Sequence, residues 1–419
     1  MVPIAHLDLD AFFASASVLA QPELAGRPLV VAGTGPHSVV ATASYEARHF
    51  GVHSAMALGE ARARCPGLVV VAPDFEWYRA LSLSVVRVLA DHADEVEPLS
   101  LDEAFFTAGE RSDDEMAALA TRVRRAVIAE TGLRASVGVG PTRTVAKMAS
   151  DAAKPDGQVV VAAREARAWL ARQDLGALPG VGPSTVEALA GAGITTIPQL
   201  AALDVRELPA RLGAHGRDLV RRARAEDVLE GPLVVPEPTR SIGSEETLDE
   251  PARTYEEFRR AVRAQARAAT DRLAHAGLAT RGLTLKVRTV TFEDRTRSAS
   301  LGAATNDEWV IAAALERLCA DSWAELRTPV RLVGVTFTGL GTTVQLRLAL
   351  DGKPERAWEV VRSPRAGEWV EHHTFGLGRV VVYHPDAAVV RFADRARIIH
   401  SPRRHLTLSP DEPAASGAA

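Results

Sequence analysis

Two hydrophobic rhythms alternate along the first part of this chain. Up to about residue 165, short apolar runs give way to longer stretches in which apolar residues recur every three or four positions. The short runs predict strands at residues 3–9, Leu29–Ala32, Val39–Ala43, Leu68–Ala72, Leu99–Thr107 and Ala135–Gly140. The longer ones predict a helix from about Ala11 and amphipathic helices at Glu76–Ala93 and Asp114–Thr131. Strands separated by helices in this way make an α/β or α+β core.

From residue 167 to 230 the pattern is helical throughout. Gly231-Pro232-Leu233-Val234-Val235-Pro236-Glu237-Pro238 then interrupts it and cannot be helical, so residues 231–239 read as a linker. A new unit starts near Arg240 with a strand at Ser241–Thr247, a helix at Tyr255–His275 and strands at Leu283–Phe292 and Arg297–Leu301. Thr305-Asn306-Asp307-Glu308 predicts a capping box opening a helix to about Arg327, before strands at Val330–Gly339 and Val344–Leu350. Through Gly339 the order is β-α-β-β-α-β, the split ferredoxin-like arrangement. In its second strand Leu283, Leu285 and Val287 fall on one face, and Thr284, Lys286 and Arg288 on the other. That polar face suits a phosphate backbone, and by itself it suits plain solvent better. Beyond it, residues 351–405 read as a small β-rich module containing His373–Tyr383 and Ala388–Phe392, and residues 406–419 as a disordered tail.

Composition narrows the class. Of 419 residues, 47% are hydrophobic and 24% charged, which excludes a disordered chain and fits two to four soluble domains. A formal net charge of −4 opposes nucleic-acid binding, so any such surface must be a local basic face. Cys65 and Cys319 lie far apart in no metal-type spacing, which argues against a disulfide or zinc site and for a reducing cytoplasm. No window approaches the apolar length of a membrane span, and Ile4–Asp10 lacks a leader pattern. The expectation is a cytoplasmic protein without membrane association.

The candidate chemistry lies in carboxylates. Asp8 sits near the end of an apolar strand, and Asp102 and Glu103 lie inside the β-rich run Pro98–Phe106. Burying several carboxylates is costly unless a cation compensates them, and hard oxygen ligands call for Mg²⁺ or Mn²⁺. Two such ions roughly 3.5–4 Å apart can stabilise the attacking and leaving oxygens of a phosphoryl transfer. A strand Asp with a distant Asp-Glu is a weak signal alone.

Motif context changes that weight. His6-Leu7-Asp8-Leu9-Asp10-Ala11-Phe12-Phe13-Ala14-Ser15 and Pro22–Pro28 are followed by Ala41–Arg48 and Phe50-Gly51-Val52 with Ser54-Ala55-Met56. Ser100–Ala104, Ser136–Gly140 and Ala146–Gly157 come next. In this order, from residue 4 to about 350, the chain resembles the Y-family translesion DNA polymerases.

The resemblance implies an α+β, multidomain right-hand polymerase. Its parts would be a palm (residues 1–10 and 78–166), fingers (11–77), a helical thumb (167–230) and a ferredoxin-like little finger (240–350), with the β-rich module added. It implies that Asp8, Asp102 and Glu103, with the Leu9 carbonyl, hold two Mg²⁺ ions, for which Mn²⁺ can substitute. Phe12, Phe13, Thr42, Tyr45, Arg48 and Lys154 would bind the dNTP, Phe13 acting as a steric gate against a 2′-hydroxyl. Arg and Lys in isolation would be read as solvated cations. Here they match triphosphate positions, where Arg offers a fork and Lys a point charge. Asp10 is given a structural role.

Leu178-Pro179-Gly180-Val181-Gly182 resembles the thumb's helix-hairpin-helix, so Gly180, Val181 and Gly182 are expected at DNA, as are Thr284, Lys286 and Arg288. Gln345, Leu346, Leu348 and Leu350 fit a hydrophobic hexapeptide that docks on a sliding clamp, although an edge strand reads the same way. His373–Gly378 looks like the Tudor-like barrels ending some repair helicases, which implies a protein partner for the module.

The expected activity is low-fidelity, template-directed extension of a primer during translesion synthesis, by a monomer without a proofreading exonuclease. The expected partners are primer-template DNA and dNTPs. A catalytically inactive DNA-binding accessory protein is the alternative, and a nucleotide cyclase a weaker one. Ser17, Ala57 and Ser244 depart from the family's usual Glu, Pro and His.

Overall fold

The computed structural model describes residues 2–204, 206, 212–226, 233, 239–342 and 363–409. The chain divides into two compact units, residues 1–33, 39–235 and 366–419 forming one and residues 34–38 and 236–365 the other.

The first unit is built on a five-stranded sheet in the order Glu95–Pro98, Glu103–Thr107, Ile4–Leu9, Ala135–Gly140, Gln158–Val160. Ile4–Leu9 lies in the middle, antiparallel to both neighbours. Alternation along it decides what each residue meets. Ala5, Leu7 and Leu9 enter the main core with helices Phe75–His92 and Asp113–Thr131. His6 and Asp8 take the other face, under helix Arg143–Ala152 and the residues that follow it. Gly138 lets that helix lie directly on the sheet, because a Cβ there would overlap the Ala146 carbonyl and the Ser150 amide.

The predicted strand Leu99–Thr107 is shorter, Glu103–Thr107, and a turn at 99–102 joins it to Glu95–Pro98, a strand outside the predicted range. Ser100 Oγ accepts from the amides of Asp102 and Glu103, each at 3.2 Å, and this local bonding displaces the ladder. A smaller sheet of Val40–Ala43, Leu29–Ala32 and Val69–Val71 packs with helices Tyr45–Arg48 and Leu58–Arg64 around its own core. Helices Ala166–Leu170, Pro183–Ala190, Ile197–Ala202 and Gly213–Ala223 share another, as the helical pattern of that region predicts.

Residues 366–409 form a five-stranded antiparallel sheet, in the order Ala396–His400, Ala387–Arg391, Gly376–Tyr383, Trp369–His372, Leu406–Leu408. Leu406–Leu408 is therefore an edge strand rather than tail, because Val370, Glu371 and His372 pair with it. Residues 410–419 lie outside the described residues. Val381, Ala387, Val389 and Ala396 join the main core. Arg391 donates to the Ala90 and Ala93 carbonyls, the latter at 2.6 Å, and the Ala396 amide donates to Asp91 Oδ1 at 2.8 Å. The module thus satisfies the unpaired carbonyls at the end of helix Phe75–His92.

The second unit is an antiparallel sheet in the order Asp294–Thr305, Thr280–Thr289, Val330–Thr338, Ser241–Ala252. Helices Tyr255–Ala276 and Glu308–Glu325 share one core with it. The chain order β-α-β-β-α-β is as predicted, and each crossover skips one strand. The second helix is capped by Asp307, which accepts from the Trp309 and Val310 amides, while Thr305 ends a strand. Gln265, the polar position in an otherwise apolar helical stripe, is buried and bonded to Ser244 and Glu246. Leu283, Leu285 and Val287 are sealed in this core, which leaves Thr284, Lys286 and Arg288 on the open face. The strand expected at Val344–Leu350, with Gln345, Leu346, Leu348 and Leu350, falls outside the described residues, as does most of the linker. Among the described residues no helix is long and apolar enough to cross a membrane.

Candidate active site

Strand pairing brings the carboxylates together. Asp8 lies opposite Glu103 in the antiparallel register, and the Leu9 amide donates to the Asp102 carbonyl at 2.9 Å. Ser100 Oγ donates to Asp102 Oδ1 at 2.5 Å while accepting from the backbone of both acids. One serine thereby sets the turn and fixes the Asp102 rotamer.

Each of the other two carboxylates has a lysine. Lys154 Nζ donates to Asp8 Oδ2 at 2.7 Å and to Asp151 Oδ1 at 2.9 Å, and Lys147 Nζ donates to Glu103 Oε2. Burial, helped by nearby Asp102, outweighs Lys154 and raises the Asp8 carboxyl to about 6. Burial opposes the charge on Lys154, but Asp8 and Asp151 together lift it above the usual lysine value. The His6 imidazole and Lys147 hold Glu103 at about 2 against the opposing effect of burial.

His6 is fully buried and its own affinity for a proton is lowered by that burial. His6 Nδ1 and Ser150 Oγ share a hydrogen bond of 2.7 Å, and Ser150 Oγ lies at 2.7 Å from the Lys147 carbonyl as well. His6 Nε2 faces Glu103 Oε2 at 3.3 Å, so a proton on that nitrogen points at the carboxylate. Lys147 is the counter-charge that Glu103 keeps in either state of the ring.

Of the expected nucleotide residues, Lys154 touches Asp8 directly and Tyr45 reaches the neighbouring Asp10. Phe13 stacks on Tyr78 with centroids 4.5 Å apart and meets Phe75 edge-on at 6.0 Å. Phe12 is 2% exposed and its ring belongs to the core. Tyr45 OH reaches Asp10 Oδ1 at 3.4 Å, and the exposed Arg48 lies over the Tyr45 ring at 4.7 Å. Thr42 is half-buried on a strand of the smaller sheet.

Asp10 is a junction, in agreement with its assigned structural role. It accepts from Ser136 Oγ at 2.9 Å and from the Asp156 amide at 2.7 Å as well as from Tyr45. Farther along the unit, Gly180 has φ +91° and Gly182 precedes helix Pro183–Ala190, while Val181 is a core residue.

His6, Lys147, Ser100 and Tyr78 were not singled out from the sequence. Two of them had a usable signal. His6 shares a strand face with Asp8 two positions on, and Lys147 lies two helical turns before Lys154.

The impB/mucB/samB family profile matches residues 7–151, and the profile of its C-terminal domain matches residues 239–348. A DNA polymerase IV of Streptomyces coelicolor is 42% identical over 366 residues, spanning 86% of this chain and 76% of its own. A DNA polymerase IV of Halorhodospira halophila is 38% identical over 340 residues, spanning 80% and 95%. In fold, a Y-family DNA polymerase chimera superposes with a TM-score of 0.73 at 23% identity, over 80% of this chain and 98% of its own. DinB from Sulfolobus solfataricus gives 0.55 at 24% identity, over the same shares. The chain belongs to the impB/mucB/samB family, the DinB-type Y-family DNA polymerases.

Proposed function

We propose that this polymerase extends a primer on a DNA template by phosphoryl transfer at Asp8, Asp102 and Glu103, with low fidelity and during translesion synthesis. The observation that carries the site assignment is the register: Asp8 faces Glu103 across adjacent strands, with Asp102 on the adjoining turn. The donor set is hard oxygen, already compensated by two ammonium groups, and this fits divalent cations of the Mg²⁺ or Mn²⁺ type. Two ions held by these carboxylates and the Leu9 carbonyl would supply charge neutralisation at the attacking and leaving oxygens.

The chain's own residues do the rest. Lys154 and Arg48 bind the triphosphate, and Tyr45 is held for the same purpose through Asp10. Phe13, backed by Tyr78, closes the sugar pocket against a 2′-hydroxyl. The primer 3′-hydroxyl attacks the dNTP α-phosphorus, and pyrophosphate leaves. Gly180 to Gly182 and the face with Thr284, Lys286 and Arg288 hold the duplex backbone. Residues 1–10 and 78–166 act as palm, 11–77 as fingers, 167–230 as thumb and 240–350 as little finger.

Primer extension on a primed template with each dNTP in Mg²⁺, beside Asp102→Ala/Glu103→Ala, tests the proposal. Templated extension that the double variant lacks is the expected result. DNA binding without extension in either metal would move the assignment to an inactive accessory protein.

A further inference from the structure

The open face of the second unit offers two cations in its second strand, and each already has an acid. Lys286 Nζ donates to Glu245 Oε2 at 2.8 Å. Arg288 forks onto Asp294, with Nε to Oδ1 at 2.5 Å and a terminal nitrogen to Oδ2 at 2.7 Å. The first pair is not between neighbouring strands. Lys286 and Glu245 both pair with Gly334, one from each side, so their side chains meet across the intervening strand. A Cβ at Gly334 would lie 3.2–3.3 Å from the Glu245 side chain, so the absence of one leaves the carboxylate room to cross. Arg288 and Asp294 face each other directly on paired strands. Between and beside these pairs the groups are neutral: Thr284 bonds Ser298 Oγ at 2.8 Å, and Thr296 lies opposite Lys286.

We propose that Glu245 and Asp294 set the affinity of this face for DNA, each occupying the cation that a backbone phosphate needs. The inference rests on the reading of this face as a DNA surface. Binding is then an exchange, in which a phosphate displaces a carboxylate and leaves that carboxylate close to the polyanion. The gain per contact is smaller than for a free lysine or arginine. Salt dependence falls as well, because a stranded carboxylate takes up a cation as the phosphate releases one. Such a face holds the duplex loosely and lets it go readily, on a chain whose net charge is −4.

The test is anisotropy of a labelled primed duplex with the full chain across a salt series. Glu245→Gln/Asp294→Asn is compared with wild type, with Lys286→Ala/Arg288→Ala, and with all four changes combined. The expected result is binding tightened roughly three- to tenfold in the amide variant. Its log–log salt slope should steepen by up to about one per freed cation. The fourfold variant should show no such gain over Lys286→Ala/Arg288→Ala. Unchanged or weaker binding by the amide variant, with Lys286→Ala/Arg288→Ala weakened, overturns the proposal and leaves the DNA surface standing. If Lys286→Ala/Arg288→Ala binds as wild type does, the DNA-surface reading itself has failed.

Discussion

The carboxylate site of the first unit and the open face of the second hold the same kinds of pair at different depths. Asp8 has a side chain 15% exposed, and burial lifts it to about 6 despite Lys154 at 2.7 Å. Lys286 and Glu245 are 33% and 45% exposed, and Arg288 and Asp294 33% and 46%. Where water is excluded, removing one partner strands a charge; where water has access, it takes the partner's place. The functional member of the pair differs too. On the proposed reading, the buried acid holds metal ions, and Lys154 compensates it until the triphosphate arrives. On the open face, by the same reading, the cation is the group DNA needs and the acid does the compensating.

The largest expected effect breaks the buried side of the comparison. Asp8→Asn should lower single-turnover extension by about 10³-fold or more, the scale of losing a group aimed at transition-state charge. Asp294→Asn, assayed at saturating DNA, should leave that rate within about twofold, since a surface pair contributes little. Equal losses in the two variants would mean that depth is not what separates the sites.

Lys154→Ala comes next. It removes the cation proposed to bind the triphosphate and leaves Asp8 without its counter-charge. The dNTP KM should rise roughly 10- to 100-fold, the worth of a charge-assisted hydrogen bond, with a smaller change in kcat. Lys154→Arg should recover part of the loss in steady-state assays. A variant that lowers kcat and leaves KM alone would place Lys154 at the carboxylates and not at the nucleotide.

A pH series sharpens the role of depth within the first unit. Burial pushes Asp156 up, but Arg124 at 2.6 Å and Arg134 pull it below the ordinary carboxylate value. A depressed acid contributes stability that is present above its unfolded value, about 4, and lost as pH falls through the lower folded value. The thermal midpoint of wild type should therefore drop on acidification below about pH 4. Asp156→Asn should begin lower at neutral pH and show a flatter acid limb. Parallel acid limbs in the two proteins would remove Asp156 from the account.

What the sequence made legible follows the same division. Strand alternation placed Asp8 and the Leu283-Leu285-Val287 face, because period two and burial are both local properties. The turn at residues 99–102 was missed, since Ser100 breaks the ladder through bonds that an apolar run does not display. The Asp307 cap was read two residues early, at Thr305, because both residues are good cap formers. Lys147 and His6 became visible as partners of Glu103 only once Gly138 allowed the helix onto the sheet. The acids of the open face were hidden for a similar reason. Glu245 is 41 residues from Lys286 in sequence, and only the strand order carries one over Gly334 to the other.

The smallest expected effect is also the most direct comparison of depth. The Arg288–Asp294 fork has good geometry, but water reaches both side chains, so Asp294→Asn trades an ion pair for hydration and some regained side-chain freedom. The thermal midpoint should move by less than about 2 °C. Asp156→Asn should cost more, because Arg124 is only 19% exposed and the Asp156 carboxylate answers Arg134 as well. Both midpoints come from one calorimetric series at neutral pH. If Asp294→Asn loses as much as Asp156→Asn, exposure does not discount the pair. The open-face acids would then be holding the sheet together as well as restraining its cations.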